Sequence, residues 1–187
     1  PIGLGLQYPE SHFDGLPAEK THDIFFCGTT ALRYPRMSAV AELEQAAPRE
    51  GWRFFRAGRI SAEGFLQACA QSWLVLSPSG NGWDCWRHAE ALMAGSVPLI
   101  NYPWVERYAP LRDGEHAFFY SPEGGHLTET VRRALADKER LRVFSREGRR
   151  HVLTYHTYAA LRGYLLAETL RMASTPAFSS KAEKLPG

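Results

Sequence analysis

Apolar residues along this chain gather in short runs, and the runs alternate with stretches of helical spacing. "DIFFCG" (23–28) is a compact apolar run closed by a glycine, which predicts a buried strand. "WRFFRAG" (52–58), "WLVLSPS" (73–79), "VPLIN" (97–101) and "HAFFY" (116–120) have the same form and predict four more. Helices are expected between them, from about Met37 to Ala47, over 61–72 and over 85–95. In the second of these, Ser61 precedes Glu63 in the first turn, and Phe65, Leu66, Cys69 and Ala70 recur at helical spacing. Gly95 ends the third. Three further helices are predicted over 127–137, 138–156 and 157–172.

Short strands alternating with helices imply βαβ units. The expected fold is therefore α/β, a Rossmann-like parallel sheet flanked by helices. Such a sheet is buried on both faces, so its strands need not alternate apolar and polar residues. Ligands of open α/β sheets bind beyond the carboxyl ends of the strands, which selects the loops after Gly28, Gly58, Ser77 and Asn101. The domain is expected over 23–172. Residues 1–22, rich in Gly and Pro, read as a linker rather than core. Residues 173–187 lose periodicity and are expected to be mobile.

The formal net charge of +2 is too small to argue for nucleic acid as a partner. Between Thr128 and Arg171, ten Arg or Lys face five Asp or Glu. That excess fits a solvated helix face, or a site for an anionic ligand or membrane surface. Cys27, Cys69 and Cys85 are too few and too scattered for a disulfide framework, so reduced thiols and a cytoplasmic setting are expected, with peripheral membrane contact left open. No apolar run approaches the ~20 residues of a membrane span, and no signal peptide is recognisable at Pro1, where the chain begins without an initiator Met, as a fragment or processed product would. The seven histidines include no H-x-x-x-H pattern, so no metal is expected. There is no glycine–lysine phosphate loop, and no G-x-G-x-x-G after the first strand.

The chemistry concentrates in "SPSGNGWDCWRHAEAL" (77–92). Gly80 and Gly82 flank Asn81 in a turn where glycine permits positive φ and close backbone approach. The helix that follows offers free N–H groups and a positive dipole end, which suit a phosphate. Arg87 adds a planar fork of donors. Glu90, when ionised, only accepts, so it needs donors such as the paired hydroxyls of a ribose. Phosphate donors beside a hydroxyl acceptor are what a nucleoside diphosphate requires. Three residues apart, Arg87 and Glu90 share a helix face. The same spacing also fits a plain ion pair. Trp83 and Trp86 fit core or lid packing, Asp84 fits a helix cap, and Cys85 with His88 fits an activated thiol.

The segment resembles the donor-binding region of GT-B glycosyltransferases, in particular their exostosin-like and group-1-like branches. There a glycine-rich turn leads into R-x-x-E-A-L-x-x-G-x-V-P, matched here by Arg87, Glu90, Ala91, Leu92, Gly95, Val97 and Pro98. The resemblance extends more weakly from about Asp23 to Leu166. It implies one half of a GT-B architecture, with a UDP- or GDP-sugar as donor substrate and no further cofactor. By that resemblance Glu90 holds the ribose and Arg87 contacts the diphosphate, while the backbone of Ser79, Gly80, Asn81 and Gly82 lies along the donor. Gly28, Thr29 and Thr30 approach the phosphates, with Arg33 or Arg36 nearby, and Arg59 and Ile60 flank the base. Asp84 is the catalytic candidate, in contact with the donor sugar. Gly82 stands where many retaining members carry a first glutamate, so the exostosin-like pattern, usually inverting, fits better. The resemblance also implies an N-terminal acceptor-binding domain, covalent or separate, that supplies the general base. On its own, the chain is then expected to bind a donor without transferring it. The alternative is a non-catalytic Rossmann-like module that binds a nucleotide or sugar, or regulates.

Overall fold

The computed structural model describes residues 4–30, 35–80 and 82–174. All five predicted strands form one sheet: β1 (His22–Cys27), β2 (Phe54–Ala57), β3 (Ser72–Leu76), β4 (Val97–Asn101) and β5 (Phe118–Tyr120). The order is β2-β1-β3-β4-β5, and every neighbouring pair is parallel. The helices are α1 (Arg36–Glu50), α2 (Ala62–Ala70), α3 (Trp86–Met93), α4 (His126–Leu135), α5 (Lys138–Tyr155) and α6 (Tyr158–Ala173).

Each strand sends successive side chains to opposite faces, and both faces are dry along β1, β3, β4 and β5, whereas the edge strand β2 buries only Ala57. Phe25, Val75, Ile100 and Phe119 pack against Leu66 and Cys69 of α2, Leu92 of α3 and Val152 of α5. Ile24, Leu74, Leu99 and Phe118 pack against Leu43 of α1, Leu127 and Val131 of α4, and Phe144 of α5. Continuous apolar strands are the cause, and burial on both sides is the result. With the helices covering both faces, the loops at the carboxyl ends of the strands remain free to build a site.

Three features differ from expectation. Helix α1 runs on through Pro48 to Glu50 and stops at Gly51, which takes a left-handed φ of 71°. Pro48 falls in the last turn, where its missing N–H removes one bond but no continuing helix is disrupted. Strand β3 ends at Leu76, ahead of Pro78, and the Ser77 N–H closes its edge on Leu99 O at 2.8 Å.

The third difference is in the leading segment. Leu6 and Phe13 are buried among the core residues on the α3–α5 face. The Leu6 N–H donates to His156 O at 2.7 Å. Lys20 Nζ donates to the carbonyls of Ala70, Ser72 and Gly95 at 2.7, 2.9 and 2.7 Å, tying together the ends of α2 and α3. The segment therefore belongs to the packed structure. The positions at 175–187, expected to be mobile, lie outside the described residues, as do Arg33 and Asn81.

The basic excess of the second half is a solvated helix surface. Arg132, Arg142, Arg150 and Arg171 each pair with a glutamate three residues earlier, contacts worth about 0.2–0.5 kcal/mol each. Among the described residues no helix is long and apolar enough to cross a membrane.

Candidate donor-binding cleft

A cleft of about 910 Å³ opens at the carboxyl ends of β1 and β2 and the start of α3. Its lining includes Gly28, Thr29 and Thr30 after β1, Arg59 and Ile60 after β2, and Arg87 and Glu90 on α3. These seven predicted residues, drawn from three separate loops and helix starts, meet in one place.

Helix α3 explains how Glu90 and Arg87 reach it. Ala91, Leu92 and Met93 turn into the core, which leaves the Arg87–Glu90 face towards the cleft. Glu90 is only 4% exposed, and its Oε1 has no hydrogen-bond partner among the described residues. Burial pushes its carboxyl up to about 7, and the Arg87 charge offsets only part of that rise. Arg87 Nη1 is likewise buried without a partner among the described residues. The guanidinium carbon sits 5.6 Å from the centre of the Phe26 ring. The two side chains form no ion pair with each other among the described residues, so the plain ion-pair alternative is not realised. A buried carboxylate left short of donors is costly unless something else supplies them.

Gly28 adopts a φ of 145°, in the range that favours glycine, and a Cβ there would lie 3.4 Å from Arg87 Nη2. Arg36, at the start of α1, is buried and donates from Nη1 to Thr29 O at 3.1 Å. It also backs onto the glycine turn, where a Cβ at Gly80 would fall 2.8 Å from Arg36 Nη2. Close approach, not positive φ, is what Gly80 supplies. Ser79, Gly80 and Gly82 do not line the cleft. The Ser79 N–H is held instead by Asn101 Oδ1 at 2.7 Å, and the Gly80 N–H by Gly82 O at 2.9 Å.

Asp84 is turned away from the cleft, on both of its expected roles. Its Oδ2 accepts from the Leu4 N–H at 2.6 Å, and it borders a much smaller cavity with His88, Arg107 and His156. The N-cap of α3 is Cys85, without a side-chain capping bond. His88 is buried, bonded through Nε2 to Ser77 O at 3.1 Å, and burial pushes its imidazole down to about 3. A ring of such weak basicity, with no hydrogen bond to the Cys85 thiol among the described residues, does not activate it.

Sequence reasoning missed other lining residues: Gln7 and Tyr8 of the leading segment, Arg56 of β2 and Phe65 of α2. Arg56 reaches Thr30 Oγ1 at 3.3 Å and pairs with Glu44. The alternation of β2 could have flagged it, since Arg56 interrupts an apolar run. Trp86, expected in packing, is 44% exposed on the cleft wall. Trp83 does pack, donating from Nε1 to the Asn101 and Tyr102 carbonyls at 3.0 and 3.1 Å.

The family model described as glycosyl transferase-like matches residues 14–167. The chain belongs to this glycosyl transferase-like family. No curated protein matches its sequence. Solved structures agree on the fold. Sucrose-phosphate synthase from Thermosynechococcus elongatus is similar at 18% identity and a TM-score of 0.59, over 93% of this chain and 52% of that one. S. aureus TarM, solved as a mutant with fondaparinux, alpha-GlcNAc-glycerol and UDP, is similar at 10% identity and a TM-score of 0.63, over 83% of this chain and 37% of that one. Anabaena HepE in complex with UDP-glucose is similar at 18% identity and a TM-score of 0.51, over 87% and 44%. The family member described here thus has the Rossmann-like fold found in GT-B glycosyltransferases and spans about half or less of these relatives.

Proposed function

We propose that this chain is the nucleotide-sugar-binding half of a GT-B glycosyltransferase. One observation carries the reading: buried Glu90 and partly buried Arg87, each with a buried polar atom unpartnered among the described residues, face one cleft beyond the carboxyl ends of the sheet. Glu90 accepts from the ribose hydroxyls. Arg87, the backbone at Gly28 and the Thr29 and Thr30 side chains receive the diphosphate, with Arg36 bracing that loop from behind. Arg59 and Ile60 stand at the base end. The turn at Ser79–Gly82 serves by holding Arg36 and Asn101 rather than by lining the donor.

As the glycosidic bond breaks, charge develops on the leaving diphosphate, and the preorganised Arg87 guanidinium and backbone amides stabilise it. Glu90 is the sole carboxylate among the described residues of the cleft, and it is committed to the ribose. The base that activates an acceptor therefore comes from an N-terminal half, and Asp84 has no part in the chemistry. Support for a uridine donor comes from the similar structures solved with UDP or UDP-glucose, and GDP is to be tested beside UDP.

Isothermal titration with UDP and GDP tests the reading. Glu90→Ala and Arg87→Ala are each expected to weaken the preferred nucleotide about 10- to 100-fold, the loss of charge-assisted hydrogen bonds of about 1.5–3 kcal/mol. Equal affinity across wild type and both variants would contradict it.

A further inference from the structure

The donor cleft has a wall that the sheet does not supply. Gln7 and Tyr8 of the leading segment line it, about eighty positions before Glu90 in the chain. Their placement is fixed on both sides. The Leu4 N–H is held by Asp84 Oδ2 and the Leu6 N–H by His156 O, while Leu6 and Phe13 are buried in the core. Tyr8 lies between those anchors. Its ring packs against the core residues of the α3 face and stacks on His12 with centroids 5.6 Å apart.

Tyr8 and Glu90 line the same cleft. Burial and then the nearby Glu90 charge both raise the phenol above its usual range, so it remains a neutral donor at physiological pH. No hydrogen bond joins the two among the described residues, and Glu90 Oε1 stays unpartnered there. A phenol donor and a buried, unpartnered acceptor therefore line one cleft without bonding to each other. A ribose suits such a pair, because each of its hydroxyls both donates and accepts.

Resting on the donor reading above, we infer that Tyr8 is a donor-contacting residue, its hydroxyl meeting the ribose from the side opposite Glu90. The leading segment is then part of the binding site. A carboxylate on α3 takes the protons of the diol, and a phenol from the leading segment donates to its oxygens.

The test compares wild type, Tyr8→Phe and Glu90→Ala in titrations with UDP and GDP, and with the 2′,3′-dideoxy form of whichever binds. Phenylalanine keeps the ring and its packing, so the melting temperature without nucleotide is expected to be unchanged. Tyr8→Phe should weaken the ribonucleotide about 3- to 10-fold, the loss of one neutral hydrogen bond. It should bind the dideoxy nucleotide as wild type does. If Glu90→Ala weakens binding while Tyr8→Phe matches wild type on the ribonucleotide, the role of Tyr8 is overturned and the donor reading stands. Equal loss on both nucleotides would also overturn it, as the mark of a purely structural effect. Failure of wild type to bind either ribonucleotide would overturn the donor reading and this inference with it.

Discussion

Glu90 carries a cost that packing alone does not explain. Its folded carboxyl titrates at about 7 against an ordinary 4.5, with burial as the main cause. Below 4.5 both folded and unfolded chains hold the proton, and the full stability is present. As pH rises through the folded value that stability is lost, on the order of 3 kcal/mol once Glu90 is ionised. The melting temperature of the free protein should therefore fall between pH 5 and pH 8. Glu90→Gln, which never ionises, should fall less. Ribose hydroxyls favour the ionised form, so nucleotide binding should release a proton near pH 7, and affinity should rise more steeply from pH 6 to pH 8 in wild type than in Glu90→Gln, where only the nucleotide's own phosphate titrates. Calorimetry in buffers of different ionisation enthalpy reads this directly, and a pH-independent affinity in wild type would contradict it. Arg87 and Glu90 were legible in the sequence because one helical turn forces them onto one face. Tyr8 was not, because only the fold brings residues so far apart to one cleft. Asp84 was misread because its partner, the Leu4 N–H, is equally remote.

At the scale of elements, the five strands and six helices follow from pattern: strand runs too short to be helices, and helical spacing between them. What pattern did not show was close contact between elements. Helices α3 and α5 meet at Gly148, where an added Cβ would run into the Leu92 side chain. Gly148→Ala would raise helix propensity but overpack this contact, at a cost of about 1–3 kcal/mol. The expected result is a lower denaturation midpoint in urea with an unchanged slope. A midpoint at or above wild type would mean that α5 can shift away from α3. Because α3 positions Arg87 and Glu90, the same variant tests how firmly the cleft is held from behind. The linker reading of residues 1–22 failed for a physical reason: its buried residues, Leu6 and Phe13, stand singly among Gly and Pro and form no periodic run.

At the largest scale, the described residues form one parallel sheet packed between helices, with a cleft at the rim where the strands end. The parallel order was legible from the alternation of strands and helices. The meeting of three loops at one cleft follows from the adjacency of β2, β1 and β3, which the sequence alone does not contain. The functional reading depends on a nucleoside diphosphate lying in that cleft. A crystal structure of this chain with UDP or GDP is the most direct measurement. The predicted result is a ribose within hydrogen-bonding distance of Glu90 and a diphosphate against Arg87 and Gly28. A nucleotide bound elsewhere, with Glu90 Oε1 still unpartnered, would contradict the account.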